Sequence, residues 1–206
     1  KKEGTFGRNE LVEQKLKDWY QLLNRGILIA GVANTDAHRY PEDSLGYPRN
    51  YVVSSTDNPW EIKPNNVVQS VKNRAVTSSL GPYIHFTGNG SPVGSVITDL
   101  DQSVSLRMEI QSPPWIPVEK LEVIANGKLI KTYSISSPEK DKAWKFSTEL
   151  VVECTRDTWY LVIASSQKPW SQPFQNYRSF SFTNPIFVDV NGNGYFDAPN
   201  GGSPQT

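Results

Sequence analysis

Cysteine is almost absent from the chain: Cys154 is the only one in 206 residues, which excludes an internal disulfide and a thiolate-only zinc cage. Histidine is nearly as scarce, and with only His38 and His85 the chain cannot build a histidine-rich metal site alone. Net charge is missing too. The 21 Lys and Arg balance 21 Asp and Glu, so there is no electrostatic footprint for nucleic acid or an anionic membrane. Long apolar runs are also lacking: the longest, residues 27–33, falls far short of the roughly 18 residues of a membrane span. Lys1, Lys2 and Glu3 lead into a charged stretch, so the start reads as no targeting signal.

What is abundant is aromatic: six Trp, nine Tyr and eight Phe, too many for a disordered chain. Val12, Leu16, Trp19 and Leu23 fall at helical spacing within residues 9–25, with Asn9 placed as N-cap and Gly26 just past the end. Residues 27–33 are apolar on both faces, the pattern of a strand buried in a parallel α/β sheet. A loop spans about 35–60, and residues 64–75 read as a second amphipathic helix through Val67, Val68 and Val71. From about Val76 the texture changes to short β-branched and aromatic runs. Strands are expected at 83–87, 104–110, 121–125, 129–133, 144–151, 159–164, 178–182 and 186–188, and Asn126-Gly127 suits a type I′ hairpin turn. The predicted fold class is α+β, with an α/β segment over residues 1–79 and a seven-to-eight-strand β-sandwich over 80–206 that ends in a flexible 201–206 tail. A strand buried on both sides needs neighbours the first segment does not supply, so that segment reads as the end of a larger domain.

Asp36 and His38 follow the 27–33 run directly, where α/β enzymes place their chemistry, and side chains two apart share a face. A carboxylate with a neutral imidazole suits zinc, manganese or iron; the plain alternative is a turn-capping Asp beside a surface His. His85 has no carboxylate or Cys at ligand spacing and reads as a structural or surface histidine.

The wider sequence carries a resemblance. Trp19-Tyr20-Gln21-Leu22-Leu23-Asn24-Arg25-Gly26, then Gly31-Val32-Ala33-Asn34-Thr35-Asp36-Ala37-His38, then Gly46-Tyr47-Pro48-Arg49-Asn50-Tyr51-Val52 resemble the final part of metallohydrolases of the PHP (polymerase and histidinol phosphatase) superfamily. The most similar branch is the CehA/McbA-like one, extended by a β-sandwich of immunoglobulin-like kind. Asp57-Asn58-Pro59, residues 77–82, Asn126-Gly127 and Asn184-Pro185-Ile186 extend the resemblance over nearly the whole chain. It implies that Asp36 and His38 are two ligands of a multinuclear metal site and that Arg49 contacts an anionic substrate or transition state, against the plainer reading of a surface ion pair. It also implies a departure. Family barrels take most ligands from strands preceding this segment, so the chain is expected to be the C-terminal part of a longer hydrolase, inactive without the rest of the barrel, or else a degenerate relative. Relatives with appended sandwiches are often exported, which implies an extracytoplasmic location.

Near the C-terminus, Asp189, Asn191, Asn193, Tyr195 through its carbonyl and Asp197 occupy positions 1, 3, 5, 7 and 9 of a calcium-type loop, with Gly194 at position 6. Position 12 is Asn200 in place of the bidentate Glu, so the competing reading is a plain Gly-Asn turn. Trp115 and Trp170 sit in Pro-containing loops, exposed for stacking on sugar rings or packed over a sandwich end. A non-catalytic, calcium-stabilised sandwich that binds carbohydrate or protein is thus the alternative to the hydrolase.

Overall fold

Asn9 starts the first helix by accepting the Val12 N–H on its side chain at 3.0 Å, and α1 runs Glu10–Leu23 with Glu10 and Glu13 in its first turn. The helix stops at Gly26, whose φ of +80° lets Gly26 N bond Leu23 O at 2.9 Å and Ile27 N bond Leu22 O at 3.0 Å. Leu16, Trp19 and Leu23 are buried with Val12 packed beside them, the face expected from their spacing. The computed structural model describes residues 7–38, 45–135, 142–171 and 175–200; the predicted 201–206 tail lies outside them.

Two sheets follow. The larger contains β1 (Arg49–Val52), β2 (Val76–Leu80), β5 (Val96–Thr98), β7 (Lys120–Ala125), β8 (Lys128–Ser134), β10 (Thr158–Pro169), β11 (Arg178–Thr183) and β12 (Ile186–Asp189). The smaller contains β3 (Tyr83–Gly88), β4 (Ser91–Pro92), β6 (Ser103–Gln111) and β9 (Trp144–Glu153), in the order β4-β3-β6-β9. All pairings are antiparallel except that of β12 with β5. A second helix, α2 (Pro64–Lys72), lies between β1 and β2. The described chain is thus β-rich, with two helices, an α+β arrangement. All eight strands expected from the sequence are present, and Asn126 (φ +48°) and Gly127 (φ +82°) make the turn between β7 and β8. The strands not expected are β1, β2, β4 and β5. The expected boundary near Leu80 falls at the end of β2, which pairs with β11.

The core has two compartments. Ile84, Leu106, Met108, Leu121, Val162 and Val188 fill the space between the sheets. On the outer face of the larger sheet, Trp159, Leu161, Phe182 and Phe187 meet Leu16, Trp19 and Leu23 of α1. β10 is buried on both faces from Thr158 to Ser166, with Tyr160 and Val162 in one compartment and Trp159 and Leu161 in the other.

Residues 27–33 do not form the expected buried strand. The segment is extended but joins no ladder, because side chains take its backbone groups. Asn184 accepts the Gly31 N–H and donates to Gly31 O, both at 2.8 Å, and also donates to Val76 O at 2.9 Å. Asn50 does the same for Ala33, with both bonds 3.0 Å. Trp19 Nε1 donates to Ile29 O at 3.0 Å, and Arg74 Nη1 to Leu28 O at 3.1 Å. Gly31 lies so close to α1 that a Cβ there would stand 2.7 Å from the Trp19 ring. The second expected helix forms, but none of its residues is buried: Val67 and Val68 are exposed, along with Ile29, Val32, Val53 and Trp60 nearby in sequence.

Candidate functional site

The Asp-x-His motif sits where the extended segment leaves the outer face of the larger sheet. Asp36 takes a left-handed φ of +51°, a conformation Asp tolerates. His38 Nδ1 is 2.6 Å from the Asp36 carbonyl oxygen, which fits an Nδ1–H tautomer with the lone pair on Nε2. His38 Nε2 and Asp36 Oδ1 are 3.8 Å apart, and two ligands each about 2 Å from one ion lie at most about 4 Å apart. The pair therefore has the reach to share a cation. Both side chains are open to solvent, at 73% for His38 and 91% for Asp36. Among the described residues no third His, Cys, Asp or Glu joins them.

Arg49 opens β1 close to this motif, since its neighbour Asn50 bonds Ala33 and also Asn34 Oδ1 at 2.9 Å. Its guanidinium stacks over the Tyr47 ring at 4.6 Å, and its Nε is buried with no hydrogen-bond partner among the described residues. A groove of about 600 Å³ passes between α1 and the sheet, lined by Leu16, Trp19, Ala33, Tyr47, Leu80 and Phe182. It is apolar, and neither Asp36 nor His38 lines it. His85 is exposed on β3 opposite Glu109.

The 189–197 loop is closed by side-chain-to-backbone hydrogen bonds. Asp189 is fully buried and accepts the Gly192 N–H at 2.7 Å on Oδ1 and the Gly194 N–H at 2.8 Å on Oδ2. Asn191 Oδ1 accepts from Asn193 N at 2.9 Å, and Asn193 Oδ1 from Tyr195 N at 2.8 Å. The amide nitrogens of Asn191 and Asn193 converge on Asp197 Oδ2 at 2.8 and 2.9 Å. Asp157, which the sequence does not mark, supports the loop by accepting the Val190 N–H at 2.9 Å and the Asp197 N–H at 2.7 Å. No Lys or Arg pairs with Asp157, Asp189 or Asp197 among the described residues. The oxygen-rich donor set fits a hard cation in kind, with both amides turned nitrogen-inward.

Of the two loop tryptophans, Trp170 is buried, its Nε1 donating to Ser179 Oγ at 3.1 Å, whereas Trp115 is 55% exposed. Trp115 borders a cleft of about 310 Å³ shared with Glu119, Lys145, Lys168 and Ser171. Lys168 Nζ pairs with Glu119 Oε1 at 2.8 Å, and the hydrogen bond from Lys168 holds the Glu119 carboxyl below the usual glutamate value. Lys145, Lys168 and Ser171 are distant in sequence from Trp115, so only the fold brings them beside it.

The chain matches no protein-family model, no curated protein and no solved structure.

Proposed function

We propose that this chain is the C-terminal part of a PHP-type metal-dependent hydrolase: the last α/β segment of the barrel followed by an immunoglobulin-like sandwich. The observation that supports the reading is the set of exposed apolar side chains in the α/β segment: Ile29, Val32, Val53, Val67, Val68 and Trp60 are each exposed, Trp60 at 95%, as expected of residues that pack against the rest of a barrel. In the completed site Asp36 and His38 would serve as two ligands of a zinc, manganese or iron centre, with His38 Nε2 and Asp36 Oδ1 3.8 Å apart. A metal held there would supply the water activation needed to hydrolyse a phosphoester or carboxyl ester. Arg49, at the start of β1, would hold the anionic substrate through its guanidinium. The chain alone is inactive, and the parent is extracytoplasmic.

The test is the intact mass of the native protein, captured from its cells with an antibody raised against this chain. A species longer by roughly 200 residues, enough to complete a (β/α) barrel, is the expected result; its metal-dependent esterase turnover is lost in Asp36→Ala and His38→Ala without unfolding. A native species of this length, or full activity in both variants, overturns the reading.

A second reading is favoured by the exposure of Trp115: a non-catalytic sandwich that binds glycans, its edge stabilised by calcium at Asp189, Asn191, Asn193, the Tyr195 carbonyl and Asp197. Saturable glycan binding by the chain supports it.

A further inference from the structure

We infer that the groove between α1 and the larger sheet binds a fatty acid, its aliphatic chain lying along the apolar walls and its carboxylate paired with Lys15 at the rim. The inference does not rest on the hydrolase reading: of the exposed apolar side chains assigned there to the barrel contact, only Val32 borders the groove.

Both walls are fixed. On one side α1 presents Val12, Leu16 and Trp19; on the other stand Leu80 of β2 and Phe182 of β11, with Ala33 of the extended segment. Trp19 Nε1 donates to Ile29 O at 3.0 Å, Asn184 bonds both backbone groups of Gly31, and Asn50 bonds both of Ala33. These bonds keep the walls apart, so about 600 Å³ stays open, within the usual range for a small-molecule site. Wall atoms facing an unfilled space forfeit contacts, which a guest of matching character restores. Because the space is already formed, binding costs the chain little reordering.

The walls select an aliphatic guest. Their polar groups are committed: Ser78 Oγ donates to Asn50 Oδ1 at 2.8 Å, Ser79 Oγ to Pro82 O at 2.7 Å, and Asn9 Oδ1 accepts the Val12 N–H. A guest that buried polar groups of its own here would leave them unpaired, a cost that an aliphatic chain avoids. The rim selects the head. Among the described residues lining the groove, Lys15 is the one charged side chain, and its ammonium has no ion pair or hydrogen bond with any of the described residues. Two nearby charges are engaged elsewhere: Arg8 with Glu13 and Glu122, and Asp18 by Gln14 Nε2 at 2.9 Å. Lys15 follows the exposed Leu11 by one helical turn, so its aliphatic stem continues the apolar lip while its head reaches water. A carboxylate there gains a charge-assisted contact that a neutral or cationic head does not.

The experiment titrates the full chain by calorimetry, below micelle-forming concentrations, with octanoate, decanoate, decanol and decyltrimethylammonium. Decanoate is expected to saturate at one equivalent and to bind about tenfold tighter than octanoate, the effect of two more buried methylenes. Decanol and the ammonium compound are each weaker than decanoate by about tenfold, the scale of one charge-assisted contact. Lys15→Gln lowers decanoate to the level of decanol. Ala33→Leu and Val12→Phe fill the groove from its two walls, and each weakens decanoate by about tenfold while the melting temperature is retained. A readout that needs neither variant is quenching of tryptophan fluorescence by ω-bromodecanoate, which acts through the Trp19 wall and falls sharply in Trp19→Phe. Equal binding of the anionic, neutral and cationic probes, or decanoate unaffected by Lys15→Gln, overturns the fatty-acid assignment. Decanoate binding unchanged in both filling variants, or quenching unchanged in Trp19→Phe, overturns the groove as its place. Uptake without saturation is adsorption to exposed apolar surface and overturns the whole inference. None of these outcomes bears on the metal-centre reading.

Discussion

Asn184 is buried completely and each polar atom of its amide is used: one oxygen takes the Gly31 N–H, and the nitrogen serves Gly31 O and Val76 O. Removing it strands those groups away from water. Asn184→Ala is expected to destabilise the fold by about 3 kcal/mol, near the top of the range for buried groups left unpaired, as read from urea midpoints. The Glu119–Lys168 pair makes a different prediction. A carboxyl whose folded pKa is lowered adds stability above its unfolded value, and that stability is lost as pH falls through the folded pKa. Glu119→Gln should therefore melt below the parent at pH 7, with the gap closing below about pH 4; a gap independent of pH from 3 to 7 contradicts this. Because both side chains are substantially exposed, the effect is small.

The two helices have similar amphipathic patterns and opposite fates. α1 presses Leu16, Trp19 and Leu23 onto the sheet, while α2 buries nothing. Leu16→Ala is expected to cost about 3 kcal/mol, whereas Val68→Ser should change stability by less than about 0.5 kcal/mol; comparing their denaturant midpoints decides whether α2 contributes to this fold. Periodicity marks a face that can be buried but not what covers it. The same logic explains residues 27–33. An apolar run of that length reads as a strand buried on both sides, but in the fold other runs meet this description, β10 among them, where β7 lies along one edge and β11 and β12 along the other. Nothing local distinguishes the two, since the difference is made by Asn50 and Asn184, far along the chain. β2 was illegible for the opposite reason. Val76-Thr77-Ser78-Ser79-Leu80 is wholly buried although three of its five residues carry hydroxyls. Those hydroxyls find partners only in the folded state: Ser79 Oγ donates to Pro82 O at 2.7 Å, and Ser181 Oγ of β11 to the same oxygen at 2.6 Å. At the candidate sites the loop ligands were legible because one short stretch contains them, whereas Asp157 and the Glu119–Lys168 pair reach their places through pairings between distant strands.

For the whole molecule, the 189–197 loop joins the end of β12 to the turn before β10, since Asp157 bonds both Val190 and Asp197. A cation bound there would favour the folded state alone. Calcium at tenfold excess over its Kd is expected to add about 1.4 kcal/mol and to raise the melting temperature by a few degrees, roughly 2–4 °C per kcal/mol at this size. The shift should vanish in a variant carrying Asp189→Asn and Asp197→Asn. No shift at about 10 mM calcium, some tenfold above the roughly 1 mM upper end of Kd for extracellular-type sites, counts against a calcium role.

The covering of α1 by β10 has a consequence for synthesis. The Trp159 indole donates to Asn24 across 135 residues of chain, and Phe182 and Phe187 on the same surface come later still. At about 5–20 residues per second, roughly ten seconds pass on the ribosome between the making of α1 and the making of its cover. Throughout that interval a finished amphipathic helix waits with its apolar side in water, which makes residues 10–23 the stretch of this nascent chain that a ribosome-associated chaperone would shield first.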